Sequence, residues 1–249
     1  MMQEQCGQLK LLTTRDQLAD ILRQAQKASW THAEFLEYIL KAEVDDLENR
    51  RLQRRMSWAQ FPYIKSLADF KLGELTGISG RQLKELSEFH WVHDAYNLIL
   101  LGPPGVGKTH LALGLGLVGI QKGLKVYYTT MNSLLDALKT EEFMRKSQIK
   151  ISRVRKADVV IIDDLMYFGA SAREQTMFFH LIHDLYEISA IILTSNRSPE
   201  LWSTLADDPA TTTAIFDRLL HRSEVIKMDG DSFRMKHQET IFKEESVKT

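Results

Sequence analysis

Residues 101–110 read LGPPGVGKTH. They lie between an apolar stretch, Asn97–Leu101, and a run of helical texture, HLALGLGLVGI, at residues 110–120. Gly102, Gly107, Lys108 and Thr109 have the spacing glycine, four residues, glycine, lysine, threonine. That is the phosphate-loop pattern when a strand precedes it and a helix follows. Glycine lets a phosphate chain lie against bare backbone N–H groups. The helix behind the loop turns its positive end to the same phosphates. On this reading Gly102, Pro103, Pro104, Gly105, Val106, Gly107, Lys108, Thr109 and His110 surround a nucleoside triphosphate. Lys108 reaches its β- and γ-phosphates, and the Thr109 hydroxyl ligates Mg²⁺.

A phosphate loop holds a nucleotide without saying what is done with it. The second stretch that bears on this is ADVVIIDDLMYFG, residues 157–169. Four consecutive apolar residues predict a buried strand that delivers Asp163 and Asp164 at its C-terminal end, the edge where open α/β sheets build their sites. Asp163 fits a carboxylate on the Mg²⁺ side, and Asp164 fits the group that orients or deprotonates an attacking water. The alternative is that the pair caps the next helix. AIILTSNRSP, residues 190–199, predicts a further strand with Asn196 at its tip. That amide is placed to sense the γ-phosphate, or else serves turn chemistry before Pro199. TTTAIFDRLLHRSEVIKM, residues 211–228, carries Arg218 and Arg222 before a last strand. Arg218 is read as an arginine finger acting on a neighbouring subunit's nucleotide; the competing reading is a surface salt bridge with Asp217 or Glu224.

Strands are expected at Asn97–Leu101, Lys125–Thr129, Asp158–Asp163, Ala190–Thr194 and Glu224–Met228, with helical patterns between them. Such alternation predicts an α/β fold with a parallel, doubly wound sheet. Ahead of it, residues 13–60 read as helical and polar, with Phe35, Leu36, Ile39, Leu40, Val44 and Leu47 at helical spacing. Thr31 and Glu34 form a candidate capping box. Acidic residues, Glu43 to Glu48, precede Arg50, Arg51, Arg54 and Arg55, as a self-stabilised helix or a partner- or DNA-facing arginine face would have them. The expected organisation is a helical N-terminal partner-binding domain at 1–60, a linker at 61–70 broken by Pro62, and an ATPase domain at 71–249.

The chain has 249 residues, 44% hydrophobic and 26% charged, an ordinary globular composition. Its apolar stretches are too short to span a bilayer and its start lacks a signal-peptide core, so a cytoplasmic protein is expected. One cysteine, Cys6, leaves no internal disulfide. His90, His93, His180 and His183 lack metal-ligand spacing and read as structural or surface groups. With a net charge of −1, nucleic-acid binding would have to rest on local segregation of charge. Residues 139–156 provide it: Lys139, Arg145, Lys146, Lys150, Arg153, Arg155 and Lys156 stand against Glu141 and Glu142, 7 − 2 = +5. The two readings are a solvated basic face and a row of phosphate contacts on duplex DNA. With Phe143 the sole aromatic among them, little base readout is expected.

Together, GPPGVGKTHLALGLG, VVIIDDL, ILTSNRSP and IFDRLLHR resemble an AAA+ ATPase. The resemblance is to the branch holding the DnaC helicase loader and the IstB transposition helpers. The stretch LENRRLQRRMSWAQFPYIKSLADF, residues 47–70, is similar to the IstB type in particular, so the likeness spans nearly the whole chain. It implies ATP and Mg²⁺ as ligands. It implies Lys108 and Thr109 as Walker A residues, Asp163 and Asp164 as Walker B, Asn196 as first sensor and Arg218 as finger. Many AAA+ proteins place glutamate where Asp164 stands, and the shorter carboxylate implies slower turnover. Past Met228 there are 249 − 228 = 21 residues, too few for a helical lid, although DSFR with Arg234 resembles this branch's short ending. The implied role is an ATP-dependent oligomer that binds DNA without strong sequence preference and recruits or stimulates a transposase in DNA transposition. A helicase loader is the alternative within the fold. A nucleotide kinase is the alternative outside it, and lacks an arginine-bearing lid in this sequence.

Overall fold

The computed structural model describes residues 1–70, 77–165, 171–205, 208–230 and 232–233. Contacts divide the chain into two compact units, 1–55 and 56–249. The first unit is helical: α1 (Met2–Gln8), α2 (Leu12–Lys27) and most of α3 (His32–Ala59). The Thr31 capping box forms: the Thr31 amide donates to Glu34 Oε2 at 2.7 Å and the Glu34 amide to Thr31 Oγ1 at 3.3 Å. A buried carboxylate joins α2 to α3, since Glu43 Oε1 accepts from the Thr14 amide at 2.6 Å. Where the charge changes sign along α3, Arg50 is paired to Asp46 one turn back at 2.5 Å.

The second unit is built on five parallel strands: β1 (Asn97–Leu101), β2 (Val126–Thr130), β3 (Val159–Asp163), β4 (Ala190–Ser195) and β5 (Ser223–Lys227). Each expected strand is present, with ends shifted by at most one residue. Their order is β2-β3-β4-β1-β5. β1 and β4 are buried along their whole length, as parallel strands covered on both faces must be. The helices after β1 are α6 (Lys108–Gln121), α7 (Met131–Thr140), α8 (Arg145–Arg155), α9 (Ala172–Leu185) and α10 (Pro209–His221). On one face Ile99, Leu101, Val160, Ile162, Ile191 and Leu193 pack with α7–α10 in a single core. On the other lies α6, near enough that a side chain on Gly116 would meet Ile161 Cδ1 at 2.8 Å. α4 (Gly80–Glu88) and α5 (His90–His93) precede β1.

Residues 61–70, expected to be a linker, pack within the second unit. Phe61 lies edge-on to Tyr128 at 6.4 Å, and the Leu67 side chain lies so close to Gly114 that an added Cβ would be 2.5 Å from it. Gly114 and Gly116 on α6 leave room for this segment, the first facing Leu67 and the second Phe61. The start of the expected ATPase domain, residue 71, and the C-terminal features, Arg234 and a lid after Met228, lie outside the described residues or largely so. No described helix is long and apolar enough to cross a membrane.

Candidate nucleotide site

The C-terminal edge of the sheet brings together what the sequence scatters over about a hundred residues. β1 delivers the loop 102–107. Gly107 caps α6 with φ 90°, in the left-handed region that glycine adopts without penalty. Gly102, φ 154°, lies so near β5 that an added Cβ would be 2.1 Å from the Met228 carbonyl oxygen. Loop and helix line a cleft of about 540 Å³ with Asp163, Asp164, Thr194 and Asn196. Pro104 through His110 all line it; Gly102 and Pro103 contribute their carbonyls, which accept from Lys108 Nζ at 2.7 and 2.9 Å.

Asp163, at the end of β3, is held by three hydroxyls. Its Oδ1 accepts from Thr109 Oγ1 at 2.9 Å and from Thr194 Oγ1 at 2.6 Å, and its Oδ2 from the Tyr128 hydroxyl at 3.1 Å. Burial, then the Asp163 charge and the bond to it, hold the Tyr128 phenol well above its usual range, so it stays a donor. A hydroxyl and a carboxylate at this separation are hard oxygen donors. They suit Mg²⁺, which takes few protein ligands and completes its shell from phosphate and water. Asp164 turns away from the strand, with φ 65°. The pair does not cap α9: Ser171 does so, in a capping box with Glu174. Ser195 supplies the turn chemistry before Pro199, its Oγ accepting from the Arg197 amide at 3.1 Å. That leaves Asn196 on the side of the strand tip that faces the cleft.

The remaining residues of the cleft were not singled out in the sequence. Tyr63, Lys65, Asp69 and Phe70 come from the segment 61–70, and Phe233 from beyond β5. The His110 ring turns to this segment, with Nε2 2.9 Å from the Ser66 carbonyl and the Phe70 ring edge-on at 5.4 Å. The Phe233 amide donates to Gly105 O at 3.1 Å, so the chain after β5 touches the phosphate loop.

The model of the IstB-like ATP-binding protein family matches residues 4–241. The chain belongs to this family. An IS21-like insertion-sequence protein of Bacteroides fragilis, named for ATP binding, is 35% identical over 98% of this chain and 93% of its own. The corresponding IS21 protein of Pseudomonas aeruginosa is 33% identical over 93% of this chain and 88% of its own. Among solved structures, AMPPCP-bound DnaA from Aquifex aeolicus superposes with a TM-score of 0.52 at 24% identity, over 69% of this chain and 52% of that one. DnaI does so with a TM-score of 0.52 at 21% identity, over 68% of this chain and 89% of that one. These likenesses establish an AAA+ P-loop fold, and the IstB-like chain is an ATP-binding protein of an insertion-sequence family.

Arg218 does not reach the cleft of its own chain. It donates to the Ala214 carbonyl at 3.0 Å and stacks over the Phe179 ring at 4.7 Å. The salt bridge with Asp217 or Glu224 is not among the ion pairs of the described residues; Arg222 instead approaches Glu187 at 3.9 Å. The seven basic residues of 139–156 divide. Lys139 pairs with Glu174 and with Asp136, and Arg155 with Glu141 at 2.7 Å and Asp184 at 3.0 Å. Lys150 donates to Ser133 O at 2.7 Å, and burial pushes its ammonium down to about 8. Arg145 and Lys146, on the first turn of α8, and Lys156 after it are exposed. Arg153 is half-buried and shares a hollow with Lys146 and Lys150 beside Tyr127 and Tyr128.

Proposed function

We propose that this chain hydrolyses ATP with Mg²⁺, assembles with copies of itself, binds duplex DNA through α8 and brings that DNA to a transposase. The observation that carries the reading is the convergence of Lys108, Thr109, Asp163, Asp164 and Asn196 on one cleft. Mg²⁺, when bound, supplies charge neutralisation at the phosphate oxygens. The chain's own groups do the rest. Thr109 and Asp163 hold the ion, Lys108 moves from the loop carbonyls to the phosphates, and Asp164 takes the proton of the attacking water. Asn196 orients that water against the γ-phosphate.

For DNA, the ion pairs of Lys139 and Arg155 already engage both side chains with carboxylates of their own chain, Asp136 and Glu174 for the first and Glu141 and Asp184 for the second. They narrow the first contacts to Arg145, Lys146, Arg153 and Lys156, with Lys150 adding charge below about pH 8. Arg145→Glu with Lys146→Glu is expected to weaken ATP-dependent binding of every duplex sequence. It should also flatten the salt dependence by about 0.9 in log–log slope per lost contact. Titration of duplex DNA against salt, with and without ATP, tests this. An unchanged slope moves the DNA site to another surface, with Arg51 and Arg54 of α3 next.

In the assembly, Arg218 is proposed to act on the neighbouring subunit's nucleotide. Leaving Phe179 costs about 0.5–1 kcal/mol, small beside the about 10³- to 10⁵-fold that an arginine finger contributes. Arg218→Ala should keep ATP affinity and lose turnover. Mixed with Lys108→Ala protein it should regain activity at hybrid interfaces. Co-assembly without any recovery rules out action in trans.

A further inference from the structure

One side chain that no motif names bonds both aspartates at the end of β3, the carboxylate of the first and the backbone amide of the second. Thr194 lies on β4, 2% exposed, between the strand that carries the aspartates and the strand that carries the phosphate loop. Its hydroxyl has one proton to donate and lone pairs to accept with. Asp163 Oδ1, at 2.6 Å, is a carboxylate oxygen and only accepts, so the proton goes there. The Asp164 amide, at 2.8 Å, only donates, so the same oxygen accepts from it. One hydroxyl therefore bridges the Asp163 carboxylate, which Thr109 and Tyr128 also hold, and the backbone from which the Asp164 side chain leaves. The second bond matters because Asp164 has φ 65°. A non-glycine residue held there is strained and persists where its surroundings over-determine it.

We propose that Thr194 is a positioning residue. It locks Asp163 toward Thr109 for the metal and holds Asp164 in its left-handed turn, so that both carboxylates present a fixed geometry to ATP. This rests on the ATPase reading above and adds to it the group that makes the aspartate pair act together. Thr194 on β4 and Asn196 just past its end both line the cleft, so both supports of the reacting region come from this strand and its tip.

The test compares Thr194→Val, which keeps the shape and removes the hydroxyl, with Thr194→Ser, which keeps the hydroxyl. Two readings are taken: the Mg²⁺ concentration needed for binding a non-hydrolysable ATP analogue, and kcat and KM for ATP. The valine variant should require more Mg²⁺ for tight analogue binding. Its kcat should fall by about 10- to 100-fold, the scale of a small misplacement of a catalytic group. Its affinity for the analogue at saturating Mg²⁺ should stay within about 3-fold, and serine should restore both readings. Wild-type Mg²⁺ dependence in the valine variant, or equal losses in valine and serine, overturns the proposal. If wild type binds the analogue with Mg²⁺ but hydrolyses no ATP, the ATPase reading fails while the Mg²⁺ readout still decides the role of Thr194. Should the valine chain not fold, Thr194→Ala against Thr194→Ser makes the same comparison. Misfolding of both hydroxyl-free chains would assign the hydroxyl to stability and overturn the proposal.

Discussion

Asp164→Asn is expected to lower kcat for ATP by about 10²- to 10⁴-fold, the range for loss of a positioned general base. ATP affinity should change by less than about 3-fold, because an amide keeps the size of the carboxylate and no phosphate contact is assigned to it. The backbone should survive as well. Asparagine and aspartate are the non-glycine residues that tolerate the left-handed region best, and this position has φ 65°. The same geometry bears on the absence of glutamate here: the φ required is one that aspartate enters more readily. Single-turnover hydrolysis beside equilibrium binding checks the result. Loss of binding equal to the loss of turnover would remove Asp164 from the role of base.

Lys108→Ala is expected to lower ATP affinity by about 10- to 150-fold. That corresponds to about 1.5–3 kcal/mol for hydrogen bonds to a charged group. The lysine's bonds in the structure run to Gly102 O and Pro103 O, at 2.7 and 2.9 Å, on a loop that is partly open to water. Those carbonyls can be solvated when the ammonium is removed, so the melting temperature without nucleotide should shift little, while stabilisation by added ATP should largely vanish. Thermal melting with and without ATP, together with direct binding of a labelled analogue, reads both. Retention of wild-type affinity would mean that the backbone amides and the start of α6 hold the phosphates unaided.

The two variants separate holding a nucleotide from acting on it, and the same division marks what was legible in the sequence. Residues with local tasks could be read from local order. The phosphate loop is one continuous stretch whose glycines answer to backbone demands of neighbouring positions. The Thr31–Glu34 capping box is a four-residue pattern. Of the five strands, β1, β3 and β4 are apolar runs that parallel pairing buries. Residues whose task depends on what lies across from them could not be read. Tyr128 occupies an ordinary position in β2, and only the parallel pairing of Tyr128 with Ile161 and Thr130 with Asp163 sets its hydroxyl on that carboxylate. Residues 61–70 look like a linker because they have no periodicity. They reach the cleft because small residues on α6 let them approach.

The basic stretch 139–156 shows the same limit. Its sum of +5 is a property of the sequence, but which charges face solvent is not. Lys139 and Arg155 are matched by Glu174 and Asp184 of α9, some thirty residues away, because α7 and α8 pack beside α9 on one face of the sheet.

By itself, the sequence determined that this chain has a nucleotide-binding α/β core, where its phosphate loop lies, and that Asp163 and Asp164 end a buried strand, since each follows from residue order over a few turns. Strand order was decided by the tertiary structure alone. β4 enters between β1 and β3, pairing Leu100 with Thr194 on one side and Ile162 with Leu193 on the other. That insertion sets the Thr194 hydroxyl between the phosphate loop and the aspartates. Hydrogen bonding across a parallel sheet joins strands far apart in the chain, and the choice of neighbours depends on how every helix packs over both faces, which no single segment encodes.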